Sequence, residues 1–145
     1  MKQFFTFFFG LVANIWPIAV MAEIEISDLK VKEPIPGQTV IAGYLLLENK
    51  GDETRVLRDV STEAAETVEM HTHVHEHHDH EMMRMEKVDF VEVPANSEFT
   101  FEPGGHHLML FSPKYEFIAS GEVELTFTFE NGETMTAKAT VESWK

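Results

Sequence analysis

Residues 70–85, MHTHVHEHHDHEMMRM, concentrate side chains that bind metal ions. The segment holds six of the eight histidines of the chain and four of its eight methionines, and the chain has no cysteine. Imidazole binds zinc, copper and iron, whereas the neutral thioether of methionine prefers soft ions such as Cu(I). Joint clustering of His and Met is not typical of core packing, and it predicts a metal site.

A second pair of candidate ligands follows in residues 103–110, PGGHHLML. In a strand, residues i and i+2 face the same side about 7 Å apart, so His107 and Met109 project together. By the same alternation, His106 and Leu108 face the other way. Two imidazoles and two thioethers form a neutral ligand set, which suits Cu(I) better than it suits Zn(II).

The same alternation sorts the donors of the His-rich segment. Met83 and Met85 share one face of their strand. Three histidines also share a face: His71, His73 and His75. A single methionine in a strand is usually core filler, because its flexible apolar side chain fits irregular gaps. We interpret Met135, near the end of the chain, in that way.

The sequence around these residues predicts short strands separated by turns. Residues 23–31, EIEISDLKV, alternate apolar and polar residues with the period of a half-buried strand. Asn131-Gly132 between two alternating runs predicts a tight hairpin, and Gly104-Gly105 predicts a turn. No segment shows a sustained helical period. Eight or nine short strands indicate a single all-β domain, an antiparallel sandwich or Greek-key barrel, with residues 71–80 as an exposed His-rich loop.

The first 22 residues, MKQFFTFFFGLVANIWPIAVMA, have the features of a secretory signal peptide that is cleaved after Ala22. They combine an early lysine, an apolar middle and a small-residue cleavage site. An uncleaved membrane anchor is the alternative, because the apolar run is close to the lower limit of about 17 to 25 residues for a span. Residues 23–145 contain no second run of that length. We therefore expect the mature domain to lie outside the cytoplasm, without stable membrane insertion.

Charge and composition exclude several classes of function. The chain has a formal net charge of −14 at pH 7, which argues against binding nucleic acid or anionic lipid headgroups. The absence of cysteine removes disulfides and thiolate ligands. A blue-copper electron carrier needs a cysteine thiolate, so that function is excluded.

Four segments, in this order, resemble the PCu(A)C periplasmic copper chaperones. They are ISDLKVKEPIPGQTVIAGYLLLENKGDE, ETVEMHTHV, MMRMEKVDFVEVPA and FEPGGHHLMLF. The likeness covers nearly all of residues 23–145. Its most specific part is a methionine followed, after 21 residues, by His-x-Met, and Met85, His107 and Met109 reproduce this spacing.

The resemblance implies a cupredoxin-like Greek-key β-sandwich with Cu(I) ligands at His71, Met85, His107 and Met109. It also implies a periplasmic protein that hands Cu(I) toward the dinuclear copper centre of cytochrome c oxidase. We expect a monomer whose partner is a copper-accepting protein such as cytochrome c oxidase subunit II or another assembly factor. His71 lies further from Met85 than the first histidine of the family does. His73, on the same face, is therefore the alternative first ligand.

The other histidines of the segment are additional to the family pattern, and they define a possible second metal site: His73, His75, His77, His78 and His80. At this density, imidazoles and carboxylates can bind Cu(II) or Zn(II), which leaves either a weaker loading site or a solvated loop. The alternative function is a periplasmic Zn(II) or Cu(II) buffer or acquisition protein acting through this loop. An enzyme is not expected, because no nucleophile and general base occur at a recognisable spacing.

Overall fold

The computed structural model describes residues 23–78, 80–121 and 123–144, with only the backbone described for residues 77, 78 and 80–82. The predicted signal peptide, residues 1–22, lies outside the described residues. Among the helices of the described residues, none has the length and apolar character needed to cross a membrane.

The described residues form ten strands and one short helix. In chain order they are β1 (Ile24–Lys32), β2 (Val40–Asn49), β3 (Arg55–Thr62), β4 (Thr67–His78), β5 (His80–Val88), β6 (Val91–Val93), β7 (Ser97–Phe101), β8 (His107–Phe111), α1 (Tyr115–Ala119), β9 (Val123–Phe129) and β10 (Thr134–Glu142).

Hydrogen bonding joins the strands in the order β5-β4-β8-β2-β1-β10-β9-β3-β6, and β7 also pairs with β2. Strands β1 and β10 pair in parallel, with Val31 opposite Val141. The other strand pairs among the described residues are antiparallel. The contact between β1 and β10 joins a layer of β5, β4, β8, β2, β7 and β1 to a layer of β10, β9, β3 and β6. The predicted all-β, cupredoxin-like Greek-key sandwich is confirmed.

The core lies between the two layers and follows the period-two pattern of the sequence. In β2, alternate residues such as Leu45 and Leu47 are buried, and in β9 the buried residues include Leu125 and Phe127. Burying a side chain of this size stabilises the fold by roughly 1.5–3 kcal/mol. The opposite faces of β2 and β8 are therefore free to form part of a site.

Two turns are found where the sequence predicts them. Asn131-Gly132 joins β9 to β10, and Gly132 has a φ of 85°, in the left-handed region that favours glycine. Gly104, in the turn before β8, has a φ of 84°. This second turn sets the point at which β8 begins, and hence the position of His107.

The His-rich segment differs from its prediction as a loop. β4 continues to His78 and β5 begins at His80, with pairing from Met70 opposite Val88 out to His78 opposite His80. Antiparallel pairing satisfies the backbone N–H and C=O groups along the hairpin, so the polar side chains do not prevent strand formation. The histidines therefore have a fixed register, which a loop would not give them.

The helix α1 was not predicted either. Its five residues make a single turn, which is too short to show a helical period in the sequence. Ile118 is the residue of this helix that packs into the core. The described residues form ten strands, more than the eight or nine predicted, because the run MMRMEKVDFVEV, residues 82–93, is divided between two strands, β5 and β6.

Candidate metal site

Three adjacent strands bring the predicted donors to one face of the sheet. β4 lies between β5 and β8, and its register places His71 opposite His107 on β8 and His73 opposite Met85 on β5. Directly opposed residues of an antiparallel pair share a face. Met109 lies two residues beyond His107 on that face, so all the donors named by the family resemblance project together.

An open cavity of about 250 Å³ lies on this face. Four candidate ligands are among the residues that line it: His73, Met85, His107 and Met109. The ring centroids of His73 and His107 are 5.1 Å apart, whereas those of His71 and His107 are 6.1 Å apart. His71 is thus a neighbour of the cavity, and His73 forms part of its wall.

Exposure separates the methionines of the site from those of the core. Met85 is 53% exposed and Met109 is half-buried, whereas Met70, at the base of the same hairpin, is 4% exposed. A methionine that fills a gap in the core would be buried in the way that Met70 is. Met85 is therefore not explained by packing.

The turn before β8 orients the ring of His107. Its Nδ1 lies 3.1 Å from the carbonyl oxygen of Gly105, and the turn is closed by a 3.0 Å bond from the Gly105 N–H to the Glu102 carbonyl. A carbonyl only accepts, so Nδ1 must carry the proton. In the neutral ring, Nε2 then keeps its lone pair and is available to a metal ion.

Burial lowers the pKa of His107 below its ordinary value; the bond to Gly105 opposes this effect, and the nearby His73 and His71 add to it. The side chain is 6% exposed, so the charged imidazolium would lose most of its hydration. The neutral ring that a metal requires is therefore favoured before any metal binds.

His71 is oriented by a carboxylate. Its Nε2 lies 2.7 Å from Oε2 of Glu69, and its Nδ1 is buried without a hydrogen-bond partner among the described residues. The bond from His71 holds the pKa of Glu69 below its usual value, and Lys87, 3.7 Å from the same carboxylate, adds to this effect against the opposing effect of burial. A carboxylate behind an imidazole is typical of metal-binding histidines. On the neighbouring strand β5, however, the residue opposite His71 is Lys87, which is not a ligand.

His106 faces away from the site, as the alternation predicts. Its ring packs edge-on against the ring of Phe99, with 4.8 Å between the centroids. Burial lowers the pKa of His106, and the nearby charge of His107 lowers it further. This histidine belongs to the packing beside the core.

Four residues near the site were not identified from the sequence. Tyr44 and Trp144 line the cavity, and the indole Nε1 of Trp144 donates a 2.6 Å hydrogen bond to the carbonyl of Glu33. Lys32 lies over the same indole, 5.3 Å from its centroid. Glu69 precedes His71 by two residues, so strand alternation could have placed both side chains on the same face. Nothing in the sequence, by contrast, identifies Trp144 as a residue near the site.

The outer part of the hairpin places His75 opposite Met83, and both side chains are exposed. The side chains of His77, His78 and His80 lie outside the described residues. Among the side chains that are described, no three His, Asp or Glu residues form a group that could hold a metal ion. The donor set around the cavity differs from such a group because two of its members are thioethers.

Comparison with known structures defines the class of fold. The chain has a PCuAC-type fold: it matches the structure titled "Copper-bound PCuAC domain from PmoF2" with a TM-score of 0.68 and 24% identity, covering 86% of this chain and 97% of that one. It matches apo-DR1885 from Deinococcus radiodurans with a TM-score of 0.61 and 23% identity, covering 99% and 97%. The structure of CuI-DR1885 matches with a TM-score of 0.59 and 25% identity, covering 90% and 81%.

Comparison of sequences defines the family. The profile described as "Putative lipoprotein LpqE-like" matches residues 24–141, and the chain belongs to the LpqE-like family. It is 30% identical to "Uncharacterized protein RP573" of Rickettsia prowazekii over 91 residues, and 29% identical to "Putative lipoprotein Lxx21020" of Leifsonia xyli over 111 residues. These matches cover 62% and 77% of this chain, and they span 49% and 64% of the two relatives.

Proposed function

We propose that this chain is a metallochaperone that binds one Cu(I) ion at His73, Met85, His107 and Met109, and passes it to a copper-accepting protein in the periplasm. One observation supports this above all: two imidazoles and two thioethers, from three adjacent strands, line the same open cavity. The copper-bound PmoF2 domain and the Cu(I) form of DR1885 share the fold, which adds support.

The chemistry of the donors favours Cu(I). All four are neutral when they bind, so the loaded site keeps the single charge of the ion. Thioethers select Cu(I) over zinc, calcium and magnesium, and they have no proton to lose at acidic pH. The hydrogen bond from Nδ1 of His107 to Gly105 leaves the other ring nitrogen free to bind the ion.

His73 is our choice for the first ligand. It lies opposite Met85, and both residues line the cavity. The PCu(A)C resemblance assigns this role to His71, and the hydrogen bond from His71 to Glu69 is consistent with that assignment. If His73 is the ligand, His73→Ala should lose more Cu(I) affinity than His71→Ala; if His71 is the ligand, the order should be reversed. One titration therefore distinguishes the two assignments.

Release follows from the position of Met85 on β5, at the end of the strand order. More than half of this side chain is exposed, so a donor of the recipient can replace it while the other ligands still hold the ion. Only coordination bonds are exchanged, and no catalytic group is required. The recipient that the resemblance implies is the dinuclear copper centre of cytochrome c oxidase subunit II, or another assembly factor.

The alternative function is a periplasmic Zn(II) or Cu(II) buffer acting through the His-rich hairpin. The exposure of His75, together with the three further histidines of the segment, favours this candidate. It predicts that Zn(II) displaces Cu(I) under reducing conditions and that the methionines of the cavity are dispensable.

The test is an anaerobic Cu(I) competition titration against a chromophoric chelator. Met85→Leu/Met109→Leu should weaken binding by more than about 100-fold, because the loss of a residue that only supports a ligand already costs 10–100-fold. Met135→Leu is the matched control, since Met135 packs against the core on β10. Unchanged Cu(I) affinity in the double variant would refute the proposed site.

The same titration assigns the first ligand. His73→Ala should lose as much affinity as the methionine variant, more than about 100-fold, whereas His71→Ala should lose no more than about 10–100-fold if His71 only supports the site. The reverse order would assign the ligand to His71.

A further inference from the structure

The donor face of the β4–β5 hairpin extends beyond the cavity. The register that places His73 opposite Met85 places His75 opposite Met83 one step further out. Directly opposed Cβ atoms are about 4.5–5.5 Å apart. Successive positions on one face of a strand are about 7 Å apart. A second imidazole–thioether pair therefore lies next to the proposed site.

The side chains of this outer pair are exposed and do not support the core. Met83 is 61% exposed, more than Met85, and His75 is also exposed. Among the described residues, His75 makes no hydrogen bond or ion pair. A thioether that remains largely in water gains little from hydrophobic burial. Packing therefore does not explain why a methionine occurs here.

The opposite face of the hairpin has a different composition. Arg84 lies 3.1 Å from the carboxylate of Glu76 and 3.7 Å from that of Glu86. These ion pairs lie on one face of the hairpin, and neither His75 nor Met83 on the other face takes part in them. The outer part of the hairpin thus separates paired charges from the soft donors of His75 and Met83.

We propose that His75 and Met83 form an outer Cu(I) site, from which the ion moves to the inner site at His73, Met85, His107 and Met109. This inference rests on the proposed function of the inner site. A thioether favours Cu(I), and Cu(I) accepts two or three ligands, whereas structural Zn(II) takes four. The outer site is accessible to a donor of copper, and the inner site has more ligands.

Movement between the sites exchanges coordination bonds only. The ion stays Cu(I), and the neutral imidazole and thioether of the outer pair give up no proton or electron. The bonds to His75 and Met83 are replaced one at a time by bonds to His73 and Met85, which are the adjacent residues on the same face. Each step keeps part of the ligand set in place.

The test uses Cu(I) titration of protein whose methionine methyl groups carry ¹³C, followed by NMR under anaerobic conditions. The first equivalent should shift the methyl signals of Met85 and Met109, and the second should shift that of Met83. In the chelator assay, His75→Ala/Met83→Leu should bind one equivalent less and keep the affinity of the inner site.

The matched control is Thr72→Ala/Glu86→Gln, an opposed pair on the other face of the hairpin, which should retain both equivalents. A Met83 signal unchanged by the second equivalent, with Met85 and Met109 shifted by the first, would refute the outer site and leave the proposed function intact. A shift of Met83 alone would instead refute the inner site. The wild-type NMR titration decides between these outcomes whatever the stability of the variants.

Discussion

The hairpins β9–β10 and β4–β5 have the same local architecture but opposite relations to the core. In β9, alternate residues including Phe127 and Phe129 are buried to 2% exposure or less. In β4, burial ends after Met70, and the outer part of the hairpin carries exposed His75 and Met83. One hairpin therefore stabilises the sandwich, while the other holds donors outside it.

This difference teaches how a small domain can combine stability with an exchangeable site. Regular strand pairing gives the donors of β4 and β5 a fixed register, although their side chains contribute little to the core. His107 is buried and connects the candidate site to the sandwich, whereas Met85 is exposed to solvent. Substitutions should therefore affect stability and metal binding separately.

The largest effect on stability should come from the core hairpin. Phe127 is fully buried, so Phe127→Ala should lower the free energy of unfolding by about 3–5 kcal/mol through the cavity it creates. Met83→Leu, on the exposed hairpin, should change it by less than about 0.5 kcal/mol. Chemical denaturation of the metal-free protein measures both, and losses of similar size would contradict the comparison.

A smaller effect should come from pH, through the buried histidines. Burial lowers the pKa of His107, against its bond to Gly105, and burial also lowers that of His106. Below the ordinary value of about 6.5, the unfolded chain takes up protons that these rings resist in the folded state. The free energy of unfolding should therefore fall as pH drops from about 6.5 and level off above that value.

Denaturation of the metal-free protein across this pH range provides the measurement. His107→Gln should flatten the pH dependence, because glutamine does not titrate and the contribution of His107 is lost. Met83→Leu, which changes an exposed side chain that does not titrate, should leave the slope unchanged. Equal slopes in wild type and His107→Gln would show that His107 does not contribute.

The smallest effect should come from the charged face of the β4–β5 hairpin. Arg84→Gln removes the ion pairs with Glu76 and Glu86, whose side chains are 44% and 55% exposed. Exposed ion pairs contribute about 0–1 kcal/mol, so the free energy of unfolding should change by less than about 0.5 kcal/mol. Cu(I) affinity should not change; a large loss of affinity would mean that this face also supports the site.

Much of the fold was predictable because its strands follow simple local rules. Alternation identified β1, and Asn131-Gly132 between two alternating runs identified the last hairpin. The His-rich hairpin was predicted as a loop because polarity was taken to oppose strand pairing there. Pairing of β4 with β8 is a nonlocal contact. A helix of a single turn such as α1 does not show a helical period in the sequence.

The sequence predicted which donor types share a face of the candidate site, but not the geometry of the cavity. The family resemblance implied Met85, His107 and Met109, and alternation placed His71 and His73 on one face. Which of these two histidines lines the cavity depends on the register of β4 against β5, which is set by pairing between separate strands. The choice of first ligand therefore remains a prediction for titration.

β5 ends the strand order, so within the described residues one of its edges has no neighbouring strand. An unpaired edge can recruit the strand of another molecule and start a growing sheet. Arg84, Glu86 and Lys87 are exposed along β5, and charged side chains on an edge disfavour such pairing. The copper transfer that we propose would thus use a strand whose charged side chains disfavour self-association into fibrils.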